Sequence, residues 1–267
     1  MRSWLVLWLA LSALAAAPAL AAPCGGTFET FIGAFKREAA AQGVSQRTLA
    51  SALADVTDDP RVLALDRGQR RTFQQSFEQF GLPRVAARLA KGTRLMQQHA
   101  ALLSRIEQRF GVPGAVVIAI WGLETDFGAD SGRLSVIRSV ATLAHDCRRS
   151  ERFQSELLAA LQILDRGDIT SAEMRGDWAG EMGQTQFLPS SYLKFAVDFD
   201  GDGRRDLIRS VPDALASTAN YLKGYGWQRG APWSPGSANF DVLLQWNKSQ
   251  VYSQTVAYFA SKLAGKS

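Results

Sequence analysis

The stretch Gly114-Ala115-Val116-Val117-Ile118-Ala119-Ile120-Trp121-Gly122-Leu123-Glu124-Thr125-Asp126-Phe127-Gly128 decides how this chain is read. Ten uncharged residues lead into Glu124. Apolar surroundings penalise the charged form of a carboxyl group, so its proton is held more tightly. A carboxylic acid that stays protonated near neutral pH can serve as a general acid. A helix-end carboxylate that simply reaches water fits the same local pattern.

On both sides of this run the periodicity is helical. Upstream, Gly111-Val112-Pro113 separates it from a long helical region over 85–110, with Gly92 as its interruption. Gly81-Leu82-Pro83 reads as the end of a helix over 70–80. Residues 55–68, with Asp58, Asp59 and Pro60, read as a turn-rich connector. Ser45 suits an N-cap for a helix over 46–53. The helix over 28–41 puts Phe28, Phe31, Ile32 and Phe35 on one core-facing stripe. Downstream, helices are expected over 135–145, 150–164, 190–197, 211–224 and 241–264, with a glycine-punctuated loop over 168–185. Strand signals are sparse and no repeat is evident, so the expected class is mainly α.

The first 21 residues read as an export leader: Arg2, an apolar stretch over 4–11, then Ala19-Leu20-Ala21 as a cleavage site. The stretch is too short and alanine-rich for a membrane span. Cys24 follows Pro23, where a lipidation signal wants a small residue, so the mature protein is expected to be soluble, periplasmic and not lipidated. Removing Arg2 takes the formal charge from +5 to +4. Such a modest excess suits an anionic wall or membrane surface, and equally no charged partner at all. Nucleic acid is not an expected partner. Export favours an oxidised Cys24–Cys147 pair over a nucleophilic thiol, since no histidine motif accompanies either cysteine. His99 and His145 are too few and too isolated for a zinc site.

Two further segments carry chemistry. In Gly180-Glu181-Met182-Gly183-Gln184-Thr185-Gln186-Phe187-Leu188-Pro189-Ser190-Ser191-Tyr192, glycines allow close backbone approach to a ligand. Gln184 and Gln186 can bond amides or hydroxyls, and Phe187 and Tyr192 offer flat faces for a sugar ring. An ordinary loop with a helix start at Pro189 is the plainer alternative. In Asp198-Phe199-Asp200-Gly201-Asp202-Gly203-Arg204-Arg205-Asp206, oxygen ligands at positions one, three and five with glycine at six match the start of a calcium loop. Arg209 stands at position twelve, where a bidentate glutamate is expected, and Asp213 is a candidate replacement. A solvated acidic turn is the alternative.

These segments, with Ala219-Asn220-Tyr221-Leu222 and Gly226-Trp227 following in order, resemble the lytic murein transglycosylase B family, glycoside hydrolase family 103, over nearly all of the chain after Phe28. The resemblance implies a lysozyme-like α+β core over 99–228, an added N-terminal helical region over 22–98, and a C-terminal segment over 229–267 that completes the groove. It implies non-hydrolytic cleavage of the MurNAc–GlcNAc β-1,4 bond of peptidoglycan, giving 1,6-anhydro-MurNAc ends, with Glu124 as sole acid and base. It implies Gln186, Phe187, Tyr192, Trp246, Asn247 and Tyr252 as substrate contacts. For structural Ca2+ it implies Asp198, Asp200, Asp202, Arg204 (by its carbonyl) and Asp213, and it implies no organic cofactor. Peptidoglycan strands are the implied substrate, with cell-wall remodelling proteins as candidate partners. Trp246 replaces a family tyrosine, and Asp177 and Glu181 stand where the family has small residues. The competing expectations are a water-using muramidase with Asp177 or Glu181 as second carboxylate, and a non-catalytic peptidoglycan-binding protein.

Overall fold

The computed structural model describes residues 22–68 and 75–265. The leader expected over 1–21 lies outside the described residues, as does part of the helix expected over 70–80. The elements run α1 (Phe28–Ala41), α2 (Gln46–Ala52), α3 (Pro60–Gly68), α4 (Phe77–Gln98), α5 (Ala100–Phe110), α6 (Gly114–Thr125), β1 (Leu134–Ser135), α7 (Val136–His145), α8 (Ser150–Arg166), β2 (Arg175–Gly176), α9 (Pro189–Phe195), α10 (Val211–Gly224), α11 (Ala238–Trp246) and α12 (Gln250–Leu263).

The uncharged run forms α6, and nearly every residue of it is buried. A helix apolar on all sides can only be satisfied in the middle of a core. It is enclosed by α4, α5, α10 and α12. Gly111, left-handed at φ 79°, stops α5 and lets Pro113 lead into α6. At the other end Asp126 and Phe127 both take left-handed backbone, and their N–H groups close on the carbonyls of Gly122 and Trp121. Arg88 and Lys91 of α4 pair with the Asp126 carboxylate, and Lys91 also bonds its carbonyl. Glu124 is therefore fixed in the last turn of a rigid central rod.

Two expected breaks do not occur, and the reason is packing. Gly81, Pro83 and Gly92 all lie inside the continuous helix α4. A Cβ at Gly81 would come within 2.7 Å of the Thr255 hydroxyl, and one at Gly92 within 3.2 Å of the Phe259 ring. Eleven residues is about three helical turns, so both glycines face α12 and let it approach closely. The Arg84 guanidinium bonds the Phe80 carbonyl at 2.9 Å beside Pro83, where the helical ladder lacks a donor. The break falls instead at His99, which joins α4 to α5. Residues 60–68, expected as connector, form α3, and Asn247–Ser249 divides the helix expected over 241–264 into α11 and α12.

On the opposite flank α1 and α2 rest on α7 and α8. Cys24 is disulfide-bonded to Cys147, joining residues 123 apart in sequence. The sulfur of Cys24 is thus engaged within the protein. Among the described residues no helix is long and apolar enough to cross a membrane.

Candidate active site

Glu124 faces a groove of about 470 Å3 whose walls include Arg152, Glu181, Gln186, Trp246 and Asn247. Both donors to its carboxyl group come from the C-terminal helices. Trp246 Nε1, at the end of α11, donates to Glu124 Oε1 at 2.7 Å. The Tyr252 hydroxyl, at the start of α12, donates to the same oxygen at 2.5 Å. No described residue donates to Oε2. With both donors on Oε1, the proton of the neutral acid sits on Oε2.

Burial raises the proton affinity of Glu124 above that of an ordinary glutamate. The Tyr252 and Trp246 hydrogen bonds act in the opposite direction, and the nearby Asp177 charge raises it further. The carboxyl-bearing end of α6 is also the negative end of that helix, which adds to the penalty on the anion. Burial, reinforced by the adjacent Glu124, holds Tyr252 well above its usual range, so it remains a neutral donor.

A tightly folded loop forms the wall opposite. β1 pairs antiparallel with β2, and further bridges join Gly176 to Met182 and Met182 to Phe187. Gly176 is obligatory here, since a Cβ would sit 2.0 Å from the Glu181 carbonyl oxygen. This fold brings Asp177 and Glu181 together. Asp177 Oδ1 accepts from the N–H groups of Ala179 and Glu181 at 2.8 and 2.9 Å. Burial raises the proton affinity of both acids, and most strongly that of Glu181, which also feels the charges of Asp177 and Glu124. Of the two acids, Glu181 is the one on which the proton is held more firmly.

The residues expected at the site separate into two groups. Gln186, Phe187, Trp246 and Asn247 line the groove. Gln186 takes left-handed backbone, and its amide nitrogen bonds the carbonyls of Ser131 and Gly183. Phe187 is only 2% exposed and packs edge-on against Trp246, so it supports the groove floor more than it covers a ligand. Asn247 Oδ1 caps the backbone at Ser249. Tyr192 and Gln184 are corrections. Tyr192 is 1% exposed, with its hydroxyl donating to the Arg205 carbonyl. Gln184 is buried and joins Trp121 Nε1 to the Ile208 carbonyl. Each fills the interior, where no sugar reaches it. Sequence reasoning missed Arg152, Tyr221 and Lys248 as groove residues. Tyr221 lay within a quoted motif, whereas nothing local distinguishes Arg152 or Lys248 from other surface cations.

The acidic loop joins α9 to α10. Ligand oxygens of Asp198, Asp200 and Asp202 lie within 4.8 Å of one another. An all-oxygen, multiply anionic set fits a hard cation such as calcium. Asp198 also accepts from the N–H groups of Gly201 and Gly203, which curls the loop around it. Asp213 sits apart from that trio and is fully buried. Its two oxygens accept from the N–H groups of Phe199, Asp200 and Asp206, bracing the loop from beneath.

Residues 27–238 match the family model described as "Transglycosylase SLT domain". The membrane-bound lytic murein transglycosylase B of Escherichia coli K12 is 39% identical over 140 residues, which is 52% of this chain and 38% of that protein. The chain thus spans well under half the length of that curated relative. The crystal structure of SltB3 from Pseudomonas aeruginosa in complex with NAG-anhNAM-pentapeptide superposes with a TM-score of 0.84 at 34% identity, covering 91% of this chain and 80% of that one. The Escherichia coli lytic transglycosylase Slt35 in complex with calcium superposes with a TM-score of 0.75 at 24% identity, over 87% of this chain and 92% of that one, and so shares the fold. The mainly helical, lysozyme-like architecture expected from the sequence is the one observed.

Proposed function

We infer, since this chain belongs to the transglycosylase SLT domain family, that its groove cleaves the MurNAc–GlcNAc bond of peptidoglycan without water. The observation that carries this reading is the groove-facing Glu124, its carboxyl group buried and anchored through one oxygen by Trp246 and Tyr252. The Pseudomonas aeruginosa SltB3 complex, with its anhydro-muramyl ligand, supports the same product class.

In the first step Glu124 gives its Oε2 proton to the glycosidic oxygen. The bond to the muramic C1 breaks, and its electron pair leaves with that oxygen. The substrate's own N-acetyl oxygen bonds to C1 and carries the positive charge onto the acetamide. The Glu124 anion is held by its two donors at Oε1, both already in place. In the second step the muramic 6-hydroxyl oxygen attacks C1 and the acetamide bond to C1 breaks. The 6-hydroxyl proton returns to Glu124. The acid is restored and no water is consumed, so one residue serves as both acid and base.

The water-using alternative needs an ionised second base across the groove. Glu181 is a poor candidate because burial raises its proton affinity well above that of an ordinary glutamate. Structural calcium at Asp198, Asp200, Asp202 and the Arg204 carbonyl belongs to the same proposal, supported by the oxygen cluster. Asp213, which braces the loop through three backbone N–H groups, keeps a lone pair on Oδ2 for the same ion. Export to the periplasm follows from the leader pattern and from the substrate's location.

Mass spectrometry of purified sacculi after digestion tests the reading. We expect 1,6-anhydro ends, and reducing muramic ends alone would refute non-hydrolytic cleavage. Glu124→Gln keeps both hydrogen bonds to Oε1 but has no proton to give. It should fold and release nothing, and full activity in that variant would remove Glu124 from its role.

A further inference from the structure

The backbone of Ala22 is gripped at both of its polar atoms. Its nitrogen donates to Glu38 Oε2 at 2.9 Å and to Gln154 Oε1 at 2.9 Å. Its carbonyl accepts from Gln154 Nε2 at 2.8 Å. Gln154 is buried on α8 and is held in turn by the Ser150 hydroxyl at 2.8 Å. Glu38 comes from α1, so Ala22 bridges two helices. The following turn is fixed as well, by the Cys24–Cys147 bond and by the Gly25 N–H on the His145 carbonyl.

This arrangement offers more acceptors than a peptide nitrogen can use. A backbone N–H carries one hydrogen, yet two oxygens approach at the same short distance and one belongs to a carboxylate. A free α-amino group carries three hydrogens and is mostly protonated at neutral pH. It would serve both oxygens fully and turn the Glu38 contact into a charge-assisted bond. The sequence places the bond that would create this group immediately upstream, where Ala19-Leu20-Ala21 has the small residues of an export cleavage site.

We propose that Glu38 and Gln154 form a receptor for the α-ammonium group released at Ala22 when the leader is removed after Ala21. The inference rests on the export reading given above. A leader peptidase adds water across the Ala21–Ala22 bond. The Ala21 carbonyl leaves as a carboxylate with the leader, and the Ala22 nitrogen gains the proton. Processing thereby creates an ion pair between the new terminus and α1, beside a disulfide that ties the same turn to α7 and α8.

The test begins with N-terminal sequencing and intact mass of the protein recovered from an export-competent host. We expect a start at Ala22 with Cys24 oxidised and no lipid attached. An uncut leader overturns the export reading, and a start at any other residue overturns the receptor. Melting temperatures are then compared for the Ala22-start protein and a form retaining residues 19–21, each with and without Glu38→Gln. We expect the substitution to lower the melting temperature of the Ala22-start protein by roughly 2–4 °C and to have a much smaller effect on the extended form. Equal effects in the two backgrounds overturn the receptor while leaving export and glycan cleavage untouched.

Discussion

Replacing Tyr252 by Phe removes the shorter of the two hydrogen bonds to Glu124 and leaves the ring in place. A hydrogen bond to an ionised group contributes about 1.5–3 kcal/mol, against about 1 kcal/mol when both partners are neutral. The difference, about 0.5–2 kcal/mol, is lost from the anionic form of Glu124 alone. That corresponds to an upward displacement of about one pH unit in its proton affinity. The alkaline limb of the kcat profile should therefore move upward by about one unit. The optimum rate should fall by up to about tenfold, because the anion formed on proton transfer is less stable. Stability follows the same sign. Glu124 holds its proton more tightly folded than unfolded, so its contribution is fully present below the unfolded carboxyl pKa and is lost as pH rises through the folded value. The variant should lose more stability in mild alkali than in mild acid. Release of anhydro-muropeptides, quantified across the pH range, reads the first effect, and urea melts at the two extremes read the second. An alkaline limb that stays put or moves downward would refute the assignment of Tyr252 as a stabiliser of the Glu124 anion.

Asp177→Asn removes a negative charge beside Glu124 and should shift the same limb in the opposite direction, downward; an upward shift would contradict the electrostatic reading. Reducing the Cys24–Cys147 bond, which closes a loop spanning 123 residues of separation, should cost about 2–5 kcal/mol in urea melts. Equal midpoints with and without reductant would count against it. Added calcium should raise the melting temperature progressively and a chelator should reverse the rise. Superimposable curves would show that the acidic loop holds no calcium.

Much of the fold was legible because periodicity and capping agree locally. The helices over 28–41 and 211–224 appear at their expected bounds, with Thr27 and Ser210 as caps. The two missed helix continuations share one cause. Gly81, Pro83 and Gly92 are helix breakers by propensity, but the contact with α12 decides their conformation, and nothing near them in sequence reports it. At the site, Glu124 was visible because its apolar lead-in is contiguous. Tyr192 and Gln184 were misplaced because a polar group that bonds inward looks the same in sequence as one that faces a ligand. The closeness of Asp177 and Glu181 was hidden, since it depends on the Gly176 turn folding the loop back on itself.

Both donors to Glu124 lie beyond residue 238, where the family match ends. A ribosome completes α6 well over a hundred residues before it reaches Tyr252. Until then a nascent polypeptide owns an acid with nothing to steady its conjugate base. A fragment trimmed to the matched span would keep that acid and lose both of the groups that steady it.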